Sequence, residues 1–269
     1  DITSKYAYSP NYYGWNGVTQ TYKYSITANA YAQYVKEIGA HNFDIMVGGE
    51  ESHFHRSGYD YGQGTDPYNG EPHDAKLREE QAWATHSSLV SYFGRLNYTF
   101  KNRYILGVTL RNDGSSVFAD NHKWGWFPGA SAAWIISEEK FMKDFDVLSF
   151  LKLRAGYGTS GNESILTGGT YPLTTYGNAW SGDYYYFGGV YHKGIIQKEQ
   201  GNPDLKWETD ITVNAGIDFG FFDDRLTGSV DYYVRTAKDL LNFTPLPVTG
   251  MVGNIAKNVG STQSKGIEV

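Results

Sequence analysis

Alternation of apolar and polar residues carries this chain. From Trp207 to Phe219 one phase reads Trp207, Thr209, Ile211, Val213, Ala215, Ile217 and Phe219. The other reads Lys206, Glu208, Asp210, Thr212, Asn214, Gly216 and Asp218. After a polar turn at Asp223-Asp224, Leu226, Gly228, Val230, Tyr232 and Val234 alternate with Thr227, Ser229, Asp231 and Arg235. Successive side chains of a strand point to opposite faces, so this hairpin has one apolar and one charged face. Strands of soluble domains run ~5–6 residues, whereas one that crosses a bilayer needs ~9–11. Both strands of the hairpin are long enough to cross.

The same period recurs along the chain. It predicts strands from Gln20 to Tyr34, His41 to Gly49, Leu89 to Phe100, Tyr104 to Arg111, Trp126 to Ile136 and Leu151 to Tyr157. Lys265–Val269 opens a further one, so the chain reads as eight strands and the start of a ninth. Asp1–Thr19 reads as a loop, and His73–His86 as a place for a short helix. Asn112-Asp-Gly114 signals a turn, and Ser137-Glu-Glu-Lys140 a helix start with a capping serine and acids in the first turn. Connections alternate between short (Lys36–Ala40, Lys101–Asn102, Gly220–Asp224) and long (Glu50–Ser87, Ser160–Pro203, Thr236–Ser264). Short turns at one end and long loops at the other are the habit of outer-membrane barrels. Tyr34, Phe43, Phe100, Tyr104, Trp134 and Phe219 sit on the apolar phase near the short turns, where a girdle at the membrane surface belongs. The opposite phase carries Arg95, Arg111, Lys152, Arg154, Lys206, Glu208 and Asp210. Because a lipid-facing Arg at the bilayer midplane costs ~2–4 kcal/mol, that phase should face a wet lumen. The expected fold is all-β: an antiparallel transmembrane β-barrel, of which residues 1–269 supply about eight strands with long extracellular loops.

Composition narrows this further. Mean hydropathy is -0.49, and no apolar run is long enough for a transmembrane helix. A barrel escapes that test, because lumen-facing residues dilute its apolar ones. The 23 Tyr and 7 Trp suit interfacial belts, and equally a sugar-binding surface. A net charge of -6 disfavours nucleic acid as partner, and the absence of cysteine excludes disulfides and thiolate metal sites. The chain begins at Asp1 and stops within a strand pattern at Val269, so a longer protein is expected.

Several short patterns resemble one family. They are Arg111-Asn-Asp-Gly-Ser-Ser116, Trp124-Gly-Trp-Phe-Pro-Gly-Ala-Ser-Ala-Ala-Trp134 and Ile136-Ser-Glu-Glu139. Leu151-Lys-Leu-Arg-Ala-Gly-Tyr-Gly-Thr-Ser-Gly-Asn162, Asn202-Pro-Asp-Leu-Lys-Trp-Glu208, Asn258-Val-Gly260 and Lys265-Gly-Ile-Glu268 follow in order. Together they look like the SusC/RagA family of TonB-dependent outer-membrane transporters, from Leu89 to Val269. The resemblance implies a large barrel in the outer membrane, closed from the periplasm by an N-terminal plug behind a TonB-binding segment. It implies a SusD-like surface lipoprotein as lid, import of oligosaccharides or peptides driven through TonB, contact with outer-membrane lipid, and pairing of barrels as dimers. Plug and TonB segment do not occur in this chain, which on its own should neither gate nor transport. A passive porin or receptor barrel, and a soluble carbohydrate-binding β protein, remain the rivals. No enzyme activity and no cofactor are expected.

Candidate sites are weighed against plainer readings. Trp180 and Tyr184-Tyr185-Tyr186 are the best ligand candidates, since flat aromatic faces suit sugar rings; contact with the lid is the alternative. Gly156-Tyr-Gly-Thr-Ser-Gly161 matches a dinucleotide fingerprint but lacks the helix that should follow it. His53-Phe-His55 with Glu50 and Glu51 contains competent metal ligands, although solvated loop histidines explain it as well, and no metal is assigned. Glu208 and Asp210 could be paired catalytic carboxylates, but pairing with Lys206, Lys152 or Arg154 is the simpler expectation. Asn97-Tyr-Thr99, Asn162-Glu-Ser164 and Asn242-Phe-Thr244 match the glycosylation pattern, which a bacterial family discounts.

Overall fold

The computed structural model describes residues 2–9, 12–65, 78–142, 145, 147–164, 166, 171, 175–178, 184–193, 195–247 and 254–269. Ten strands form one sheet: β1 (Ile2–Ser9), β2 (Tyr12–Ile38), β3 (His41–Thr65), β4 (Arg78–Phe100), β5 (Tyr104–Ser115), β6 (Trp124–Ile135), β7 (Leu148–Asn162), β12 (Glu208–Phe221), β13 (Leu226–Lys238) and β16 (Ser261–Glu268). They lie in chain order. Three two-stranded antiparallel sheets pair β8 (Thr175–Asn178) with β11 (Ile195–Glu199), β9 (Tyr184–Phe187) with β10 (Val190–Lys193), and β14 (Leu241–Pro245) with β15 (Asn254–Asn258). No helix among the described residues is long and apolar enough to cross a membrane, which says nothing about strands. All of the strands inferred from alternation belong to the main sheet.

The structure corrects four expectations. Asp1–Thr19 is no loop: Ile2 to Ser9 pair with Gln20 back to Tyr12. The polar run after Glu50 is strand as far as Thr65, and Arg78–His86 is strand rather than helix. Cross-strand contacts override the local preference there, with the Trp83 indole donating to Asp60 and Arg56 lying 5.0 Å from the Trp83 ring. Asn112-Asp113-Gly114 does not turn but pairs with Tyr92, Ser91 and Val90 on one side and Trp126, Gly125 and Trp124 on the other. Ser137 caps no helix: two 3-10 turns, Ile136–Glu138 and Lys140–Met142, stand there, and the first has no side-chain cap.

Contacts divide the chain into two units. One is built mainly from Asp1–Thr27 and Ser52–Ser88, the other from Ala28–Glu51, Leu89–Leu166 and Thr170–Val269. In the first, the Thr27 and Ser52 hydroxyls hydrogen-bond, His53 Nδ1 meets Ser88 Oγ, and His55 meets His86.

The second unit shows the two faces directly. Strand register aligns Leu96, Val108, Ala130, Tyr157, Val213 and Val234 in one row, and Tyr98, Leu106, Ala132, Ala155, Ala215, Tyr232 and Ile267 in the next. These apolar residues point outward: Val213 and Tyr232 are each 48% exposed. The opposite face holds an ion-pair network, with Arg154 reaching Asp218 at 3.1 Å and Asp231 at 2.5 Å, and Arg95 reaching Asp44 at 3.4 Å. Gly216 makes room for this network, since a Cβ there would sit 2.9 Å from Arg154 Cζ and collide with Asp231. A soluble sheet buries its apolar face; in this one the apolar residues are the exposed ones, while the opposite face is occupied by ion pairs.

The short turns behave as the sequence suggests. Lys101 and Asn102 both take positive φ, 53° and 56°, at the centre of a tight turn closed by Arg103 N donating to Phe100 O, in a three-residue connection that leaves Phe100 paired with Tyr104. Beside this turn the girdle aromatics meet: Phe43 with Tyr98 at 5.0 Å, Phe100 with Tyr104 at 6.1 Å and Tyr104 with Trp134 at 6.3 Å. Their polar tips converge on one carboxylate. Glu139 accepts from Tyr104 Oη at 2.5 Å, Arg103 Nη1 at 2.7 Å and Trp134 Nε1 at 3.2 Å. The Tyr104 hydroxyl first, then Arg103 and Trp134, hold the Glu139 carboxyl below its ordinary range.

Candidate functional site

A buried cluster ties the long-loop end of the second unit together. Leu205 is fully buried and Trp207 is 8% exposed. With Val117, Phe118, Phe127, Leu166, Leu241 and Ala256 they form the apolar core of the described residues. The Trp207 ring lies 5.0 Å from Phe118 and 5.6 Å, edge-on, from Phe127, and its Nε1 donates to Lys123 O at 2.9 Å. Gly161 is the floor of this packing, for a Cβ there would overlap the Phe127 ring and stand 2.8 Å from Trp207. Trp207 is therefore not one of the outward-facing residues of its phase. Asn202 donates to Ala256 O, Asn162 to Glu208 Oε1, and Leu241 N to Glu208 Oε2. Asn258 donates to Lys206 O and accepts from Lys206 N. The asparagines and the tryptophan of the short motifs thus form a clamp that fixes where loops leave the strands.

Against this clamp lies a cavity of about 800 Å3 on the charged side of β4–β7. Phe93, Phe127 and Trp207 give it apolar wall, and Arg95, Arg111, Asp113, Glu50 and Glu163 give it charge. Arg111 is held from several sides: Nε donates to Asp113 Oδ1 at 2.6 Å, Nη2 to Ser91 Oγ at 2.8 Å, and Glu50 stands at 3.9 Å. Its guanidinium also lies 5.9 Å from the Phe93 ring. Asn112, next to it, donates to Gly125 O, which keeps this stretch in the sheet. Two buried polar atoms on the cavity wall, Arg95 Nε and Glu163 Oε2, have no hydrogen-bond partner among the described residues. Burial raises the pKa of Glu163 above its ordinary value, with Asp113 adding to the rise and a Ser115 hydrogen bond opposing it. Donor, acceptor and aromatic faces on one wall suit a polar ligand with an apolar side, such as a sugar or a peptide.

The sign of the Glu163 shift gives a test. A carboxyl with a raised folded pKa favours the fold while protonated, and that contribution fades as pH rises through the folded value. Glu163→Gln should therefore leave stability unchanged in acid and raise it near neutral pH. Urea unfolding at two pH values reads the difference; a variant that is destabilised equally at both contradicts the assignment.

The residues singled out from sequence are dispersed. Trp180 lies outside the described residues. Tyr184, Tyr185 and Tyr186 lie on β9, in register with Lys193, His192 and Tyr191 of β10, and Tyr186 is 64% exposed. Glu208 and Asp210 are not a catalytic pair. Glu208 is a structural acceptor, and Asp210 meets Arg235 at 3.5 Å rather than the expected Lys206, Lys152 or Arg154. Lys206 pairs with Asp239, and Lys152 and Arg154 with Asp218. Gly156–Gly161 is strand throughout, and among the described residues no helix follows it to receive a pyrophosphate. No group of three or more His, Asp or Glu fit to hold a metal exists among the described residues. The cavity residues Arg111 and Glu163 were missed as a site. Charged residues of the inward phase beside the long loops were the available signal.

Comparison with known proteins bears on this wall. The sequence profile described as "TonB dependent receptor-like, beta-barrel" matches residues 1–269. The chain is 49% identical over 269 positions to the TonB-dependent receptor SusC of Bacteroides thetaiotaomicron, covering 99% of this chain and 26% of that protein. It is 33% identical over 261 positions to the TonB-dependent receptor P3 of Formosa agariphila, covering 94% of this chain and 26% of that protein. Among solved structures, the RagAB peptide importer in its closed-closed state superposes with a TM-score of 0.80 at 26% identity, over 94% of this chain and 28% of that one. The chain therefore spans about a quarter of the length of these relatives.

Proposed function

This chain belongs to the TonB-dependent receptor-like β-barrel family, and from that premise we propose that it forms part of the barrel wall of an active importer in the outer membrane. The observation that carries this is the exchange of faces. Across β4–β7, β12, β13 and β16 the apolar phase lies outward while ion pairs and the 800 Å3 cavity occupy the other side. A soluble sugar-binding protein would have no use for that arrangement. Residues 1–269 are read as one stretch of the barrel domain, with plug and TonB-binding segment supplied elsewhere in the full protein.

The cargo is an oligosaccharide or a peptide. The likeness to SusC and to the RagAB peptide importer supports that pair of classes, and the mixed cavity wall is compatible with both. The same likeness supports a SusD-like lipoprotein as lid; pairing of the transporters as dimers is proposed alongside it. Trp180 and Tyr184–Tyr186 are proposed to touch cargo or lid.

Two arms of one experiment test this in the full-length gene product. Uptake of cargo by cells should stop when a protonophore collapses the proton-motive force; uptake that continues would make the barrel a passive pore. Replacing Trp180, Tyr184, Tyr185 and Tyr186 with Ala should weaken cargo binding or co-purification with the lid, yet leave the amount of protein in the outer membrane unchanged. Unaltered uptake and complex formation would remove these four as contact residues.

A further inference from the structure

We propose that His55 and His86, facing each other across β3 and β4, form a two-imidazole site for a divalent late transition metal, with Cu(II) as the best fit. The two Nδ1 atoms stand 2.9 Å apart and the ring centroids 4.5 Å apart. Two metal–nitrogen bonds of ~2.0–2.1 Å span ~2.9 Å when they meet at a right angle and ~3.3 Å at a tetrahedral one. The separation thus fits adjacent corners of a square-planar or tetragonal site, the geometry that Cu(II) and Ni(II) prefer with nitrogen donors. Cu(II) leads on intrinsic affinity for such donors.

The surroundings support a held pair. Tyr24 stacks on His55 at 4.9 Å with an interplanar angle of 27°, fixing one ring from the β2 side. His86 is exposed and His55 half-buried, so water can fill the remaining coordination positions. Both residues sit on long continuous strands, which hold donors more firmly than loops do. β3 opens at His41, so the ~9–11 residues needed to cross a membrane are complete before His55 is reached. Without metal, one Nδ1–H donates to the other ring's Nδ1. Metal binding needs both Nδ1 lone pairs, so the bridging proton leaves and that ring carries its hydrogen on Nε2 instead. His53 is a different case: its Nδ1 meets Ser88 Oγ at 2.8 Å, and it is not assigned to the metal.

The test uses the detergent-solubilised full-length protein titrated with Cu(II). Electron paramagnetic resonance should show a tetragonal centre with two equatorial imidazole nitrogens. His55→Gln and His86→Gln, made separately, should each weaken that centre by ~10²-fold, the advantage of linking two donors on one scaffold. His53→Ala should leave it intact. Footprinting of the unmutated protein supplies a readout independent of variant folding. One equivalent of Cu(II) should protect His55 and His86 together from diethyl pyrocarbonate while His53 stays reactive. Absence of joint protection, or a copper signal unchanged by either glutamine, would mean adventitious binding and overturn the site.

Discussion

Trp207→Ala is expected to destabilise the folded wall by ~3–5 kcal/mol, the range for deleting a large buried aromatic side chain. Three contributions disappear together. The ring leaves a void between Phe118 and Phe127, which it touches at centroid distances of 5.0 and 5.6 Å. The Lys123 carbonyl loses its donor. The core around Leu205 and Leu241 then opens where Asn202, Glu208 and Asn258 pin the loops. Trp207→Phe keeps part of the packing and drops the hydrogen bond, so its cost should be smaller, with about 1 kcal/mol of it from the bond. Equilibrium urea unfolding of the full-length protein in lipid vesicles measures both. A change within about 0.5 kcal/mol for Trp207→Ala, the range of an ordinary surface substitution, would remove Trp207 from the core.

This clamp was the least legible part of the sequence, although its residues were the most noticeable. Asn202–Glu208 and Asn258-Val-Gly260 stood out as motifs, yet nothing in a linear pattern says that Asn258 bonds Lys206 or that Glu208 accepts from Leu241 N. Such contacts depend on how loops fold over strand ends, and loops have no period. The strand cores were the opposite case. A period of two survives in any strand with unlike faces, so the phases of Val213 and Asn214, or of Leu106 and Gly107, could be assigned from order alone. The ends of the strands misled for the same reason. β3 and β4 continue through Gly58 and Trp83 because cross-strand partners such as Asp60 hold them, while their composition reads as loop. Asn112-Asp113-Gly114 failed similarly: a turn signal yields when Arg111, Asp113 and Ser91 lock a register. The aromatic girdle was readable, but its anchor was not. The local sequence marks Glu139 as a helix-start acid, whereas its part is to collect the tips of Tyr104, Arg103 and Trp134.

The phase assignment makes the second large prediction, Val213→Arg. Val213 sits near the middle of β12, in a row of apolar neighbours formed by Tyr157 and Val234, and is 48% exposed on the outward face. If that face meets hydrocarbon, an arginine there costs ~2–4 kcal/mol, because no water solvates the guanidinium at mid-depth. Its neighbour Asn214 points the other way, toward the side that already carries Arg154, Asp218 and Asp231. Asn214→Arg adds the same charge but stays wet, so its cost should be well below that of Val213→Arg. The two substitutions, one residue apart on the same strand, introduce the same side chain and the same charge and differ chiefly in the face they occupy. Folding of the full-length protein into vesicles from urea, with the two variants in parallel, reads the difference. In aqueous solution an exposed valine replaced by arginine is nearly neutral, so equal costs for the two variants would place the apolar face in water and end the membrane reading, whereas a large excess for Val213→Arg fixes both the lipid-facing phase and the depth of β12 in the bilayer.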